Sequence, residues 1–262
     1  MPDSILDRII QSKRVDVAWR RERTPLAEVI TAASESPPVR DFASALTAGD
    51  GLSLIAEIKR CSPSAGVLCE SFDPAAIARE YAGAGAAAIS CLTDEIFFMG
   101  QLDHIKQIAD ACPLPVLRKD FIIDVYQVYE SRAAQADAVL LIASVLPTDR
   151  MRELHELAIS LGMTALVEVH NETEAKSALD AGAWIIGVNN RNLHDLSVDI
   201  ETTIRLRSVI PNDAILVSES GIRTAEDVRR LRDAGVAAIL VGEHLMRADD
   251  RRGAIRKLLG TA

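Results

Sequence analysis

Charged side chains interrupt several short apolar runs of this sequence, each at a position that shares a face with an apolar neighbour. Side chains alternate faces along a strand, so residues two apart point the same way. Ile55, Glu57 and Lys59 share a face of one run, Leu117 and Lys119 of a second, Leu166 and Glu168 of a third, and Val217 and Glu219 of a fourth. Charges inside a core are costly to desolvate unless paired, so lysines and glutamates arriving together predict one shared polar site. Its chemistry would be proton transfer, with lysines as donors and glutamates as acceptors or as the anions that keep the lysines charged. A purely structural ion-pair network is the plain alternative.

Another run ends Gly187-Val188-Asn189-Asn190-Arg191-Asn192, which adds an amide and a guanidinium. Asn is also a common turn residue, and Arg191 could equally be a surface charge. Ser220-Gly221 and Gly242-Glu243 follow the last two runs. Glycines there let backbone N–H groups face an anion, often with a short helix N-terminus behind them. Ser62, in Ser62-Pro63-Ser64-Ala65-Gly66, could add a hydroxyl from the opposite side. Together these turns predict a phosphorylated small-molecule ligand.

The runs that must position these groups are Leu52–Ile58, Ala87–Leu92, Pro115–Lys119, Ala138–Ile142, Ala165–Val169, Trp184–Val188, Ile215–Glu219 and Ala237–Val241. Their centres lie about 20–35 residues apart, room for one strand, one helix and two loops, and eight such units fill the roughly 200–250 residues of a (β/α)8 barrel. The expected fold is therefore α/β, a (β/α)8 TIM barrel, with the polar residues at the strand C-termini where such barrels keep their chemistry. A doubly wound open sheet also alternates strand and helix. No GxGxxG follows the first run, however, and polar residues close several strands rather than one switch point. The phrases Ala82–Ala86, Ala134–Ala138, Ala181–Ala183 and Ala234–Ala238 read as helix stops before strands.

Residues 1–48 exceed what a minimal barrel needs and are expected to form an N-terminal helical extension packed on a barrel domain of residues 49–262. Ile5, Ile9 and Ile10 make an amphipathic stripe, Thr24-Pro25 supplies the N-cap and N1 of a second helix, and Ser36-Pro37-Pro38 precedes a short third segment. The extension either plugs one end of the barrel or walls a ligand pocket, and both remain open.

The 262 residues carry 38 acidic and 29 basic side chains, a formal charge of −9. That balance repels a polyanionic backbone and argues against nucleic acid as a partner. No apolar run approaches the roughly 18 residues needed to span a bilayer, and Met1-Pro2-Asp3-Ser4-Ile5 lacks the regions of a signal peptide. A cytoplasmic protein without a membrane partner is expected, and no obligatory protein partner is evident. Cys61, Cys69, Cys91 and Cys112 form no CxxC, and His104, His155, His170, His194 and His244 form no HxxxH. Reduced thiols and no metal site follow.

Ile55-Ala56-Glu57-Ile58-Lys59-Arg60-Cys61-Ser62-Pro63-Ser64, Leu117-Arg118-Lys119-Asp120-Phe121, Leu166-Val167-Glu168-Val169-His170, Ile186-Gly187-Val188-Asn189-Asn190-Arg191 and Ser218-Glu219-Ser220-Gly221-Ile222 closely resemble the indole-3-glycerol-phosphate synthase family of tryptophan biosynthesis. The match runs in order over nearly the whole chain. It implies a cofactor-free lyase that converts 1-(2-carboxyphenylamino)-1-deoxyribulose 5-phosphate to indole-3-glycerol phosphate, carbon dioxide and water. Two departures touch loops: Ala65 stands where relatives often carry a basic residue, and Met99 and Gln101 flank Gly100 where relatives usually have Gln and Ser.

The reaction needs a proton on the ribulose carbonyl oxygen as the aromatic carbon attacks; loss of carbon dioxide follows, then loss of hydroxide and a ring proton. By resemblance Lys119 is the acid of ring closure, Lys59 the partner of the substrate carboxylate and a candidate acid of dehydration, and Glu168 the final acid-base group. Glu57 and Glu219 would orient the ammonium groups, with Ser220 in the same catalytic set. Asn189 and Arg191 would bind the ribulose and carboxylate groups. Phe98, Phe121 and Leu140 would wall the anthranilate ring, and Ser62, Gly221, Gly242 and Glu243 would surround the phosphate.

Two other readings compete. Phosphoribosylanthranilate isomerase would, by resemblance, use a Cys near the first strand and an Asp on a later one; Cys61 shares the parity of Lys59, yet no Asp occupies a comparable strand end. A non-catalytic barrel that senses a phosphorylated metabolite needs the phosphate turns but not the lysines and carboxylates.

Overall fold

The computed structural model describes residues 4–49, 51–192 and 197–261, so His194 and the first three residues, both weighed above, lie outside the described residues. Parallel strands β1 (Ser53–Ile58), β2 (Ala88–Leu92), β3 (Val116–Lys119), β4 (Ala138–Ile142), β5 (Thr164–Val169), β6 (Ile185–Asn189), β7 (Ile215–Glu219) and β8 (Ala238–Val241) close into a barrel in sequence order, with β8 paired back to β1. The expected runs match these strands to within one residue at either end. Helices intervene between consecutive strands, and the architecture is a TIM barrel.

The parity of the strands sorts the side chains. Ile55, Leu117, Leu166 and Val217 from the odd-numbered strands fill the barrel interior with Ala88, Ala138, Leu140, Ile185, Ala238 and Leu240 from the even ones. Their alternates, among them Leu54, Ile89, Val139, Val167, Ile186 and Ile239, belong to the layer under the helices. Strands buried on both faces read as continuous apolar runs, which is why they stand out in the sequence. Two residues beyond each interior residue of the odd strands come Glu57, Lys119, Glu168 and Glu219, at the C-terminal mouth.

Helix-to-strand turns depend on left-handed residues at Gly85, Gly182 and Gly235, and Gln135 adopts the same conformation without being glycine. The helix stops read from the small-residue phrases are thus backbone features.

Before the barrel lie α1 (Ile5–Arg23), α2 (Leu26–Ser34) and α3 (Phe42–Thr47). Pro25 is the N-cap of α2 and Leu26 its first residue, so the helix opens one position later than the Thr24-Pro25 pair suggests, because Pro25 keeps an extended ψ of 148°. The two roles considered for this segment are divided between its ends. Phe42 and Leu46 of α3 are buried in the interior cluster of the barrel and plug it. Ile5, Leu6 and Ile9 of α1 line the cavity at the mouth, while Ile10 faces a separate groove.

Lys13 fixes α1 there. Its ammonium lies 2.8 Å from both Asp94 and Asp120, which follow β2 and β3. Burial opposes its charge, but the carboxylates outweigh burial and raise its pKa. Asp120 is also paired with Arg118, whose side chain points outward from β3 and reaches Glu130 at 2.9 Å.

Phe42→Ala should therefore lower stability by about 3–5 kcal/mol, the usual cost of emptying a buried phenylalanine site, with little change in KM. Denaturant melts and substrate titrations check this, and a large KM change with an unaltered melt would contradict the plug role.

Candidate active site

At the C-terminal mouth the structure holds a cavity of about 830 Å³. Every site residue expected from the sequence lines it: Glu57, Lys59, Ser62, Phe98, Lys119, Phe121, Leu140, Glu168, Asn189, Arg191, Glu219, Ser220, Gly221, Gly242 and Glu243. Because the odd strands deliver their charges two residues above an apolar layer, the floor of the cavity is ionic and its foundation is not.

Lys119 is the centre of that floor. Its Nζ donates to Glu168 Oε2 at 3.0 Å and makes a closer contact with Glu219 Oε2. Burial works against its charge, yet Glu219 and Glu168 hold the ammonium well above the ordinary lysine range. Lys119 is therefore protonated at neutral pH, the state required of a donor. Lys59 forms a second pair, 2.6 Å from Glu57 Oε1.

The two carboxylates beside Lys119 differ. Burial raises the pKa of Glu168, but Lys119 and His170 more than offset it and hold the carboxyl below its ordinary range. Glu219 is pushed up to about 7 by burial first of all, with Lys119 pulling it down and Glu168 and Glu57 pushing it up. Paired carboxylates whose environments separate their proton affinities can divide acid and base work.

Gly187 makes this packing possible. A Cβ there would collide with the Glu219 carboxylate and meet Leu166 Cδ1 at 3.3 Å. The sequence contains Gly187 in plain view, but its reason lies on two neighbouring strands, which no local pattern reveals.

On the side of β6 and β7, Asn189 Oδ1 accepts from the Ser220 hydroxyl at 2.8 Å and from the Arg191 N–H at 3.1 Å. Ser220 holds a left-handed φ of 68°, uncommon for a residue with a side chain. Asn190 was not among the expected site residues. It is buried, donates to Ser218 Oγ and the Ser220 carbonyl at 3.0 Å each, and accepts from the Thr203 hydroxyl at 2.8 Å. These bonds tie the turn after β6 to the turn after β7, so the turn residue shapes the site from behind.

Arg191 pairs with Val198 through an antiparallel bridge and lines the cavity, which sets aside the plain surface reading. Gly221 continues the left-handed path at φ 81°, and a Cβ on it would strike Val198. The short helix Glu243–Met246 opens at Gly242, leaving its first N–H groups without partners inside the helix. Arg223, His244 and Arg247 line the same end, where Arg247 donates to the Ala65 carbonyl at 3.2 Å. None of these three was marked in the sequence, because their approach depends on turns rather than on strand parity.

Opposite lies an apolar wall. Phe98 and Phe121 stand 6.2 Å apart between ring centroids at 36°, beside Leu92, Leu140 and Ile142. Among the described residues, Cys61 pairs with Val67 in a two-stranded hairpin and does not line the cavity. A Cys-based isomerase has no thiol at this site.

Comparison with known proteins agrees with the geometry. The family model for indole-3-glycerol phosphate synthase matches residues 6–258. The indole-3-glycerol phosphate synthase of Roseiflexus sp. (strain RS-1) is 53% identical over 98% of this chain and 99% of its own. That of Polaromonas naphthalenivorans (strain CJ2) is 50% identical over 98% of each. Among solved structures, a 3-hexulose-6-phosphate synthase aligns with TM-score 0.65 at 15% identity over 80% of this chain and 99% of its own, a likeness of fold alone. With a family match from α1 to the last helix and relatives about half identical end to end, this chain belongs to the indole-3-glycerol phosphate synthase family.

Proposed function

We propose that the chain performs the family's reaction through Lys119, Glu168 and Lys59, closing the ring of 1-(2-carboxyphenylamino)-1-deoxyribulose 5-phosphate and releasing carbon dioxide and water. The observation that carries this reading is the Lys119 ammonium held between Glu168 and Glu219 on the cavity floor, with an aromatic wall on one side and glycine turns on the other.

The phosphate lies at the turns of Gly221 and Gly242–Glu243 with Ser62 opposite, and the anthranilate ring against Phe98, Phe121 and Leu140. Lys59, kept charged and oriented by Glu57, pairs with the substrate carboxylate. As the ring carbon bearing that carboxylate attacks the ribulose carbonyl, Lys119 gives its proton to the carbonyl oxygen, which becomes a hydroxyl. Carbon dioxide then departs, leaving its bonding electrons with the ring and restoring the benzene system. Glu168 removes a proton from the adjacent carbon of the new ring while the hydroxyl leaves as water with a proton from a lysine, which completes the indole. Glu219 and Glu57 hold the lysines, and Asn189, Ser220 and Arg191 hold the ribulose chain and carboxylate. No step in this scheme calls on a cofactor.

Residues 1–48 serve as a helical extension that plugs one end of the barrel domain of residues 49–262 and walls the cavity at the other. Cytoplasmic residence without a membrane or obligatory protein partner belongs to the same reading, and the charge of −9 argues against a nucleic-acid partner. Among the described residues, no helix is long and apolar enough to cross a membrane.

Gly221→Ala tests the orientation of the ligand. The added methyl strains a left-handed residue and disturbs the phosphate turn, so KM should rise about tenfold or more with kcat changed far less. A structure in phosphate buffer should show the anion between Gly221 and Gly242. An unchanged KM, together with an anion bound elsewhere, would overturn the phosphate assignment. Supplying phosphoribosylanthranilate instead separates the isomerase reading: that compound should be left unchanged.

A further inference from the structure

Glu168 has two oxygens, and the scheme above uses the neighbour of only one. Oε2 receives Lys119, while Oε1 lies 3.5 Å from Nε2 of His170, two residues further along the same face of the chain. His170 Nε2 is buried and makes no hydrogen bond. The other ring nitrogen is fixed: Nδ1 lies 2.9 Å from Glu174 Oε2, which also accepts the His170 backbone N–H at 2.8 Å. Glu174 is itself held in the first turn of the helix Glu172–Asp180, where its Oε1 accepts from Asn171 at 2.7 Å. The imidazole is thus clamped by one carboxylate and aimed at another, in an orientation a merely packed histidine would not need.

We infer that His170 is a positioning residue for Glu168: with its ring held by Glu174, its imidazolium keeps the Glu168 carboxylate ionised and oriented to remove the last proton. The charged groups around it are Glu174 from the following helix, Glu168 near the end of β5, and Glu219 from β7, with Lys119 from β3 on the far side of Glu168. Three carboxylates against one further ammonium favour the protonated ring, and although burial opposes it, the His170 pKa is raised. The sign follows. A cation at Nε2 lowers the proton affinity of Glu168, so the pH at which activity is lost on acidification lies lower with His170 than without it. Because Glu168 and Glu219 interact, that acid limb belongs to the pair.

This inference rests on Glu168 acting as the acid-base group. The test is the pH profile of kcat for the full-length enzyme and for His170→Gln, which retains an amide donor but carries no charge. The acid limb should move up by about one pH unit, a tenfold loss of kcat at pH values below it, with the plateau and KM little altered. Glu174→Gln keeps one accepting oxygen but removes the charge that stabilises the imidazolium, and it should shift the limb the same way. It also serves if His170→Gln melts too low to assay. A limb that stays in place in the folded variants, whatever happens to the plateau, overturns the inference and leaves the role of Glu168 intact. Wild-type kcat in Glu168→Gln would overturn both.

Discussion

Lys119→Ala should lower kcat by at least about 100-fold, the lower end of what a positioned general acid contributes. The expectation follows from where the ammonium sits. It is the group that both buried carboxylates, Glu168 and Glu219, hold in place, and it faces the cavity. Removing it also leaves those carboxylates opposed across the floor, and loss of one partner from a buried pair often costs about 3–5 kcal/mol. Uptake of a proton by Glu219, already pushed up to about 7, limits that penalty. Circular dichroism and a melt should accordingly show a folded but weakened barrel. A variant with near-normal kcat would remove Lys119 from the mechanism.

Glu168→Gln should leave substrate affinity almost unchanged and reduce turnover by about 100-fold or more. The amide preserves shape and one accepting oxygen for Lys119 but cannot take the proton released in the last step. Because that step follows decarboxylation, carbon dioxide release should outrun indole formation in a rapid-mixing experiment, with a hydroxylated intermediate accumulating. If KM rises while kcat holds, Glu168 binds substrate and does not transfer protons. Its low proton affinity favours the base role, since the carboxylate is ionised before it is needed.

The barrel was legible because parallel strands covered on both faces leave uninterrupted apolar runs, and the exceptions were informative. Glu57, Lys119, Glu168 and Glu219 announced themselves as charges at interior parity, and the structure places them at one mouth. Parity extends to His170, two residues beyond Glu168, yet its partner Glu174 comes from the following helix and its aim depends on the turn between them. Asn190 looked like a turn residue because its use is in long-range bonds to Thr203, Ser218 and Ser220. Lys13 was invisible for a different reason. A buried lysine reads as a surface residue until both carboxylates that neutralise it, Asp94 and Asp120, are brought together by separate strands. The helical extension could be seen as helices, but its division between plug and wall depends on α3 entering one end of the barrel while α1 crosses the other.

The central claim is that this cavity closes, decarboxylates and dehydrates one phosphorylated ribulose. The most direct measurement mixes the purified protein with 1-(2-carboxyphenylamino)-1-deoxyribulose 5-phosphate and follows indole absorbance and fluorescence together with released carbon dioxide. The account predicts one indole-3-glycerol phosphate and one carbon dioxide for each substrate consumed, with no added cofactor. Absence of indole across a broad range of pH and salt, from protein shown to be folded, would contradict it.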